Sequence, residues 1–252
     1  MRAVRLETLR ELVEARGAVN VEDAAAELNV SKETIRRDMG ELAARGLVNR
    51  TRGGAAAMGS SLTERDLDQR RLRNGQEKSA IARYIVEHLV FDGMSIGLDG
   101  GTTTLEIARQ LAGRDVTVVT SSIPVVIELA HTKTTVTVLG GELRSRSMTV
   151  SGPFATDMMG QFHTDVAVVS GPAIEPRDGL MDSYADGVAL KRAMIHNSDA
   201  TYAALDSSKI GRRSFVTVCG LADLDGIVTD SKVTAEDLAS FEESSIKIFI
   251  AE

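Results

Sequence analysis

Asp99, Gly100 and Gly101, followed by Thr102, Thr103 and Thr104, crowd more potential ligand chemistry into six positions than any other stretch of this chain. Ile96 and Leu98 precede them, and Leu105, Ile107, Ala108 and Leu111 follow at helical spacing. That pattern predicts a buried strand, a tight polar turn and the start of a helix. Paired glycines let backbone N–H groups approach a ligand closely, and a helix N-terminus leaves about four N–H groups without partners beside a partial positive charge. Three hydroxyls add donors at the same spot. The turn is suited to a phosphate or a carboxylate, although an ordinary strand-to-helix turn with a threonine N-cap would use the same residues.

The rest of the chain separates these readings, because the transition recurs. Apolar runs at 116–119, 136–139, 166–169 and 202–205 stop at Thr120-Ser121-Ser122, Gly140-Gly141-Glu142-Leu143-Arg144, Ser170-Gly171 and Asp206-Ser207-Ser208-Lys209. A run at 227–228 reaches Thr229-Asp230, and 246–250 closes the chain. Strands that are apolar along their length and separated by helices predict a mostly parallel sheet covered on both faces. Ligands of such sheets bind beyond the carboxyl ends of the strands, where these clusters fall. The hydroxyl- and glycine-rich turns can hold a phosphate, Lys209 and Arg144 can neutralise it, and Asp99 and Asp206 can accept from sugar hydroxyls. The chemistry fits a phosphorylated sugar or polyol better than a nucleotide.

Other chemistries lose support. No Gly-x-x-x-x-Gly-Lys-Ser/Thr or Gly-x-Gly-x-x-Gly pattern follows a strand, which argues against phosphoryl and hydride transfer. His88, His131, His163 and His196 are isolated and have no cysteine partners, so neither a metal nor another cofactor is expected. The one cysteine, Cys219, lies in the apolar run 215–219 and reads as a packed thiol. It excludes an internal disulfide and suits a reducing compartment. With no long apolar run and no signal-peptide core, a cytoplasmic protein is expected.

Charge is unevenly spread. The net charge is −7, yet residues 1–57 hold ten Lys/Arg against nine Asp/Glu. Within 36–52, Arg36, Arg37, Arg45, Arg50 and Arg52 face only Asp38 and Glu41. A cationic cluster in an acidic chain predicts a polyanion partner for the N-terminal part. The elements there agree. Leu6, Leu9, Leu12 and Val13 predict a first helix ending at Gly17, and Asn20 caps a second with Val21, Ala24, Ala25 and Leu28 inside. Ser31 caps a third that buries Ile35, Met39, Leu42 and Ala43 and presents Lys32, Thr34, Arg36 and Arg37. Two helices joined by a short turn, the second polar at its start, are the plan of a major-groove reader. The segment 46–54 alternates apolar and basic residues and turns on glycines, which predicts a two-stranded wing aiming Arg50 and Arg52 at DNA.

Ser31-Lys32-Glu33-Thr34-Ile35-Arg36-Arg37-Asp38, then Gly46-Leu47-Val48 and Arg52-Gly53-Gly54-Ala55, resemble the DNA-binding domain of the DeoR family of bacterial transcriptional regulators. The body resembles that family's effector domain at Asp99 to Thr104, Thr120-Ser121-Ser122, Gly140 to Arg144, Gly152, Lys191-Arg192-Ala193-Met194 and Asp206-Ser207-Ser208-Lys209. Ser121 replaces a usual asparagine, and Pro172, Pro176 and the segment 182–187 depart from the pattern.

The resemblance implies a small winged helix-turn-helix domain at 1–57 and a linker at 58–78. A larger, mostly parallel α/β domain at 79–252, similar to pentose-phosphate isomerases, would bind the effector and oligomerise. It implies DNA contacts from Ser31, Lys32, Thr34, Arg36, Arg37, Arg50 and Arg52. The effector would be held by Asp99, Gly101, Thr102, Thr103, Thr104, Thr120, Ser121, Ser122, Gly140, Gly141, Arg144, Lys191, Asp206, Ser208 and Lys209. The expected function is regulation, as a repressor of sugar catabolism or transport genes, with a double-stranded operator, an anionic sugar-phosphate-like effector and a homo-oligomer as partners. The alternative is an aldose–ketose isomerase with Asp99 or Asp206 as base and Lys209 as stabiliser. Against it, 169–173 lacks the acidic cluster isomerisation would need nearby.

Overall fold

The computed structural model describes residues 2–16, 18–51, 53–57 and 67–252. The chain divides into two compact units, Met1–Glu64 and Arg65–Glu252.

The first unit contains α1 (Arg2–Arg16), β1 (Ala18–Asn20), α2 (Val21–Glu27), α3 (Lys32–Ala44), β2 (Val48–Thr51) and β3 (Gly54–Ala57). Leu9, Val13, Ile35, Met39 and Leu42 are buried together and hold the helices to one another. Both predicted caps form: the Asn20 side chain accepts from the Asp23 N–H at 2.8 Å, and Ser31 Oγ accepts from the Thr34 N–H at 3.2 Å. Each satisfies a first-turn donor that the helix itself leaves open. The wing is larger than expected. β3 lies between β2 and β1, both antiparallel, so the sheet has three strands. Three residues of β1 are too short a run for a period-two signal to show.

The second unit starts with α4 (Leu67–Arg71) and α5 (Gly75–His88). α5 begins four residues before the expected domain start at 79, which carries Lys78 out of the expected linker and into a buried position. Then come β4 (Ser95–Leu98), α6 (Thr102–Leu111), β5 (Thr117–Thr120), α7 (Ile123–Leu129) and β6 (Thr135–Val138). A hairpin of β7 (Glu142–Arg144) and β8 (Thr149–Ser151) leads into α8 (Pro153–Met159) and β9 (Thr164–Val169). They are followed by β10 (Ala173–Glu175), β11 (Gly179–Asp182), α9 (Val188–His196), β12 (Ser198–Ala204), β13 (Val216–Cys219), β14 (Gly226–Asp230), α10 (Ala235–Ser240) and β15 (Ile248–Ala251).

All seven expected strands join one sheet in the order β15-β14-β12-β9-β4-β5-β6, and every pairing is parallel. Two hydrophobic clusters cover its faces. One gathers α5, α6 and α7 residues such as Ile81, Ile85, Leu105 and Leu111; the other gathers Ala155, Met159, Leu190 and Met194 from α8 and α9. Successive strands run away from β4 in both directions, so the order reverses between β4 and β9. A crevice opens at such a reversal beyond the carboxyl ends. A separate antiparallel sheet, β10-β11-β13, was not legible as a unit in the sequence. Cys219 lies in it, and burial, aided by the nearby Asp223 charge, pushes its thiol up to about 12, as befits a packed and unreactive group. Among the described residues no helix is long and apolar enough to cross a membrane.

Candidate functional site

In the first unit α3 presents its polar face to solvent. Arg36 and Arg37 are exposed, and Arg36 Nη1 lies 3.5 Å from Glu33 Oε2. Lys32 meets the Glu22 carboxylate, and the Thr34 hydroxyl is 2.8 Å from that of Ser31. Arg50 Nη1 donates to the Gly54 carbonyl at 3.1 Å, which steadies the side chain on the wing. Arg52 lies outside the described residues. Asp38, inside the same motif, is buried, and Arg5 Nε donates to it at 2.6 Å. That pair ties α1 to α3, so Asp38 holds the exposed helix in place and does not face a partner.

In the second unit the strand ends of β4, β9 and β12 lie side by side and carry Asp99, Ser170 and Asp206. Two neighbour spacings of about 4.8 Å separate β4 from β12. Glycine is required at this edge. A Cβ at Gly100 would collide with the Thr149 side chain of β8, and one at Gly171 with the Met181 carbonyl oxygen of β11.

At the β4/β9 crevice Lys191, reaching in from α9, is enclosed. Its ammonium lies 2.9 Å from Asp99 Oδ2 and 2.8 Å from Asp182 Oδ2, and it donates to the Ser170 carbonyl at 2.5 Å. Three donors thus have three acceptors. Burial alone would lower its pKa, but Asp182 and Asp99 outweigh it and raise it. Asp99 Oδ2 also accepts from the Ser170 N–H at 3.1 Å, which stitches β4 to β9. Asp99 is expected as an acceptor for a ligand; here its Oδ2 already has partners inside the protein. Asp182 stands in the sequence only as a departure from a pattern; it ends β11, a strand too short to show a period, which sets it beside Lys191 of α9.

One strand further, the surroundings change. The Asp206 carboxylate accepts from Asn74 Nδ2 at 2.8 Å and from the Ser208 hydroxyl, and Lys209 Nζ lies 3.6 Å away. Burial pushes Asp206 up, yet Lys209, Ser208, Asn74 and Lys78 hold it below the usual carboxylate range. Lys209 moves the other way. Burial lowers it, Asp206 offsets that in part, and Arg70 and Lys191 lower it further. Lys78 is buried and donates to the carbonyls of Arg70, at 2.6 Å, and Arg73. Burial, with the Lys209 and Arg70 charges close by, brings it down to about 8 despite Asp206. Asp206 thus lies close to two ammonium groups, both lowered in spite of it, and an added negative charge would favour the charged form of both. Asn74 and Lys78 belong to this corner and were missed as site residues, because they sit in the stretch read as linker.

The hydroxyl clusters divide in the same way. α6 starts at Gly101 with no side-chain cap, and Thr102, Thr103 and Thr104 are buried. Thr104 Oγ1 donates back to the Gly101 carbonyl at 3.1 Å, while buried Thr103 Oγ1 has no hydrogen-bond partner among the described residues. Thr120 is occupied internally: its hydroxyl donates to the Leu98 carbonyl at 2.6 Å and accepts from the Ser122 N–H at 3.1 Å. Ser121 and Ser122 are buried under β8, whose Val150 N–H donates to the Ser121 carbonyl at 2.8 Å. Gly140 and Gly141 are exposed at the entry to the β7–β8 hairpin. Arg144, on β7, lies 3.7 Å over the ring of Tyr184. A cation stacked on an aromatic face holds the hairpin against the segment after β11.

An exposed basic helix beside a wing, joined in one chain to a parallel sheet with a cation-rich corner at its strand ends, defines a DNA-binding regulator with a ligand-sensing body. Residues 5–61 match the DeoR-like helix-turn-helix domain, and residues 73–231 match the DeoR C terminal sensor domain. The chain is 34% identical over 248 residues to the HTH-type transcriptional regulator GlpR of Haloferax volcanii, covering 98% of this chain and 96% of that protein. It is 33% identical over 223 residues to the Glycerol-3-phosphate regulon repressor of Escherichia coli, covering 88% of each. The chain belongs to the DeoR family. Like those relatives it is a transcriptional regulator and not an enzyme. Among solved structures, ribose 5-phosphate isomerase A from Methanocaldococcus jannaschii covers 54% of this chain and 54% of its own at 19% identity and a TM-score of 0.41.

Proposed function

We propose that this regulator is a repressor of genes for sugar or polyol use, and that a phosphorylated sugar or polyol seated at the Lys209 corner sets its operator affinity. Residues 1–57 would carry the DNA contacts through Ser31, Lys32, Thr34, Arg36, Arg37, Arg50 and Arg52. Of the expected joint, 58–78, Asn74 and Lys78 would instead belong with 79–252 to the sensing and assembling body. The observation that carries the reading is the charge imbalance at Asp206: Lys78 and Lys209 are both lowered by burial and by neighbouring positive charge, as expected of a site awaiting an anion. The uncapped start of α6 and the buried Thr103 hydroxyl supply donors on the same edge of the sheet. The Escherichia coli relative is a Glycerol-3-phosphate regulon repressor, which agrees with a small phosphate ester.

In this reading the phosphate sits by Lys209 and the α6 N-terminus, and the hydroxyl-bearing end extends along the strand ends. Two recognition helices must reach half-sites about one helical turn, roughly 34 Å, apart or a multiple of it. An effector that prefers another arrangement of the heads by about 1–3 kcal/mol would then release the operator. A thermal-shift screen of sugar and polyol phosphates against their dephosphorylated counterparts tests the seat. Specific ligands raise the melting point by mass action, and the phosphate should be indispensable. If the dephosphorylated compounds stabilise the protein equally, the seat is misassigned.

A further inference from the structure

The two edges of the seven-stranded sheet are built differently. At one, β15 is flanked by Lys247 and Glu252, and the Glu252 carbonyl is taken by the Arg83 guanidinium. At the other, β6 reads Thr135-Val136-Thr137-Val138, inside a stretch, 134–141, with no charged residue and no proline. Open edges are normally blunted by lysine, proline, a bulge or an inward-pointing charge, because their unpaired backbone groups invite another strand. β6 has none of these devices.

The hydrogen-bond phase shows which groups are on offer. The Thr135 N–H donates to the Val116 carbonyl at 3.1 Å and the Leu139 N–H to the Thr120 carbonyl at 2.9 Å. Odd-numbered residues therefore bond inward to β5, and the backbone groups of Val136 and Val138 point away from the sheet. β5 is the only strand beside β6 among the described residues. The flank is apolar as well: Val138 is 41% exposed and Ile127, on the α7 helix that packs on β6, 66%.

We propose that this edge is a self-association surface, on which β6 of a second copy pairs antiparallel about a two-fold axis at Thr137. The symmetry of the strand and its lack of charge favour a second copy over an unrelated strand. In that register Val136 faces Val138 of the partner subunit and the reverse, and each such pair exchanges both backbone hydrogen bonds. Thr137 meets its own counterpart as a close, non-hydrogen-bonded pair, a favourable threonine contact. A two-fold contact sets each patch against its own image, which a charge near the axis would penalise and which an uncharged Thr-Val-Thr-Val run tolerates. The pairing would also supply the second head that the proposed operator reading needs, but it stands on the sheet edge and not on the effector site.

Val138→Pro tests it, since it deletes an outward N–H that no bond inside the chain uses and proline is tolerated at such edge positions. Val138→Lys places a charge on the same edge. In sedimentation velocity on the full-length protein, the wild type is expected to be a dimer or an even-numbered oligomer. Both variants should keep the wild-type circular dichroism while their dissociation constant rises about tenfold or more. Hydrogen exchange on unsubstituted protein gives an independent reading: the Val136 and Val138 amides should gain protection as protein concentration rises. A monomeric wild type, variants that assemble like it, concentration-independent exchange at those amides, or open-ended filaments built through β15 would each overturn the proposal. Sugar-phosphate stabilisation of the variants should match the wild type, so this test and that of the effector seat fail separately.

Discussion

Lys191 and Lys209 stand at the same edge of one sheet, and the contrast between them separates what builds this protein from what it senses. Lys191 has an acceptor for each of its three donors, two of them carboxylates, and its pKa is raised. Among the described residues Lys209 has Asp206 alone as an ion-pair partner, at 3.6 Å, and its pKa is lowered. A cation with surplus negative charge around it is a structural fastening; in the proposed reading, a cation short of negative charge is a binding group held ready. The first unit repeats the contrast on its surface, with Arg5 fastened to buried Asp38 while Arg36 and Arg37 stay exposed. Substituting the fastened members should cost stability, and substituting the exposed or under-neutralised members should cost binding.

The largest effect is expected from Arg36→Ala combined with Arg37→Ala. Base-reading arginines contribute about 1–3 kcal/mol each, so operator affinity in a gel-shift titration should drop by roughly two orders of magnitude or more, with effector stabilisation unchanged. Near-normal operator affinity would remove α3 from the interface. Next comes Asp182→Ala, which leaves Lys191 half neutralised in a buried place and should lower the stability of the body by about 3 kcal/mol in denaturant unfolding. A change below about 1 kcal/mol would mean the fastening is ornamental.

Lys209→Ala should do the opposite, leaving the unfolding midpoint almost unmoved. Losing one charge-assisted hydrogen bond, about 1.5–3 kcal/mol, should weaken the phosphate ligand roughly ten- to a hundredfold by calorimetry. The pH profile sharpens this. Lys78, at about 8 in the absence of a ligand, loses its charge as pH rises through that value, and an anion beside it would raise the pKa. Effector affinity should therefore hold below pH 8 and decline above it, with proton uptake on binding in that window. Folding has its own sign: the unfolded chain keeps the Lys78 proton up to its ordinary value near 10.4, so this group adds stability as pH climbs from 8 towards that value. An effector affinity flat from pH 7 to 9.5 would dissociate Lys78 from the site. The smallest effect belongs to Arg50→Ala, which should reduce the slope of log affinity against log salt by about 1 while leaving sequence preference intact.

Much of this was legible in the sequence for a plain reason. Buried parallel strands are continuous apolar runs, so all seven strands of the main sheet and the polar clusters at their ends announced themselves. Ser31 and Asn20 did so as caps, because capping acts over three residues. What stayed hidden depended on distance along the chain or on brevity. Asp182 reaches Lys191 from a small antiparallel sheet whose strands of three or four residues carry no period. Asn74 and Lys78 looked like linker because their stretch is densely charged, yet Lys78 is buried under its own backbone carbonyl partners. Thr120 and Arg144 had fitting chemistry, but their groups engage Leu98 and Tyr184. A side chain's type is written in the sequence, whereas whether it is already occupied is decided by the fold.

The central claim is that the under-neutralised corner at Lys209 governs the hold on DNA. It is tested most directly by fluorescence anisotropy of a labelled operator titrated with a panel of sugar and polyol phosphates, using wild type and Lys209→Ala. The account predicts that at least one phosphate ester releases wild-type protein and that the variant, binding the operator normally, needs at least about ten times more of it. Release of the variant at the wild-type concentration would contradict the account.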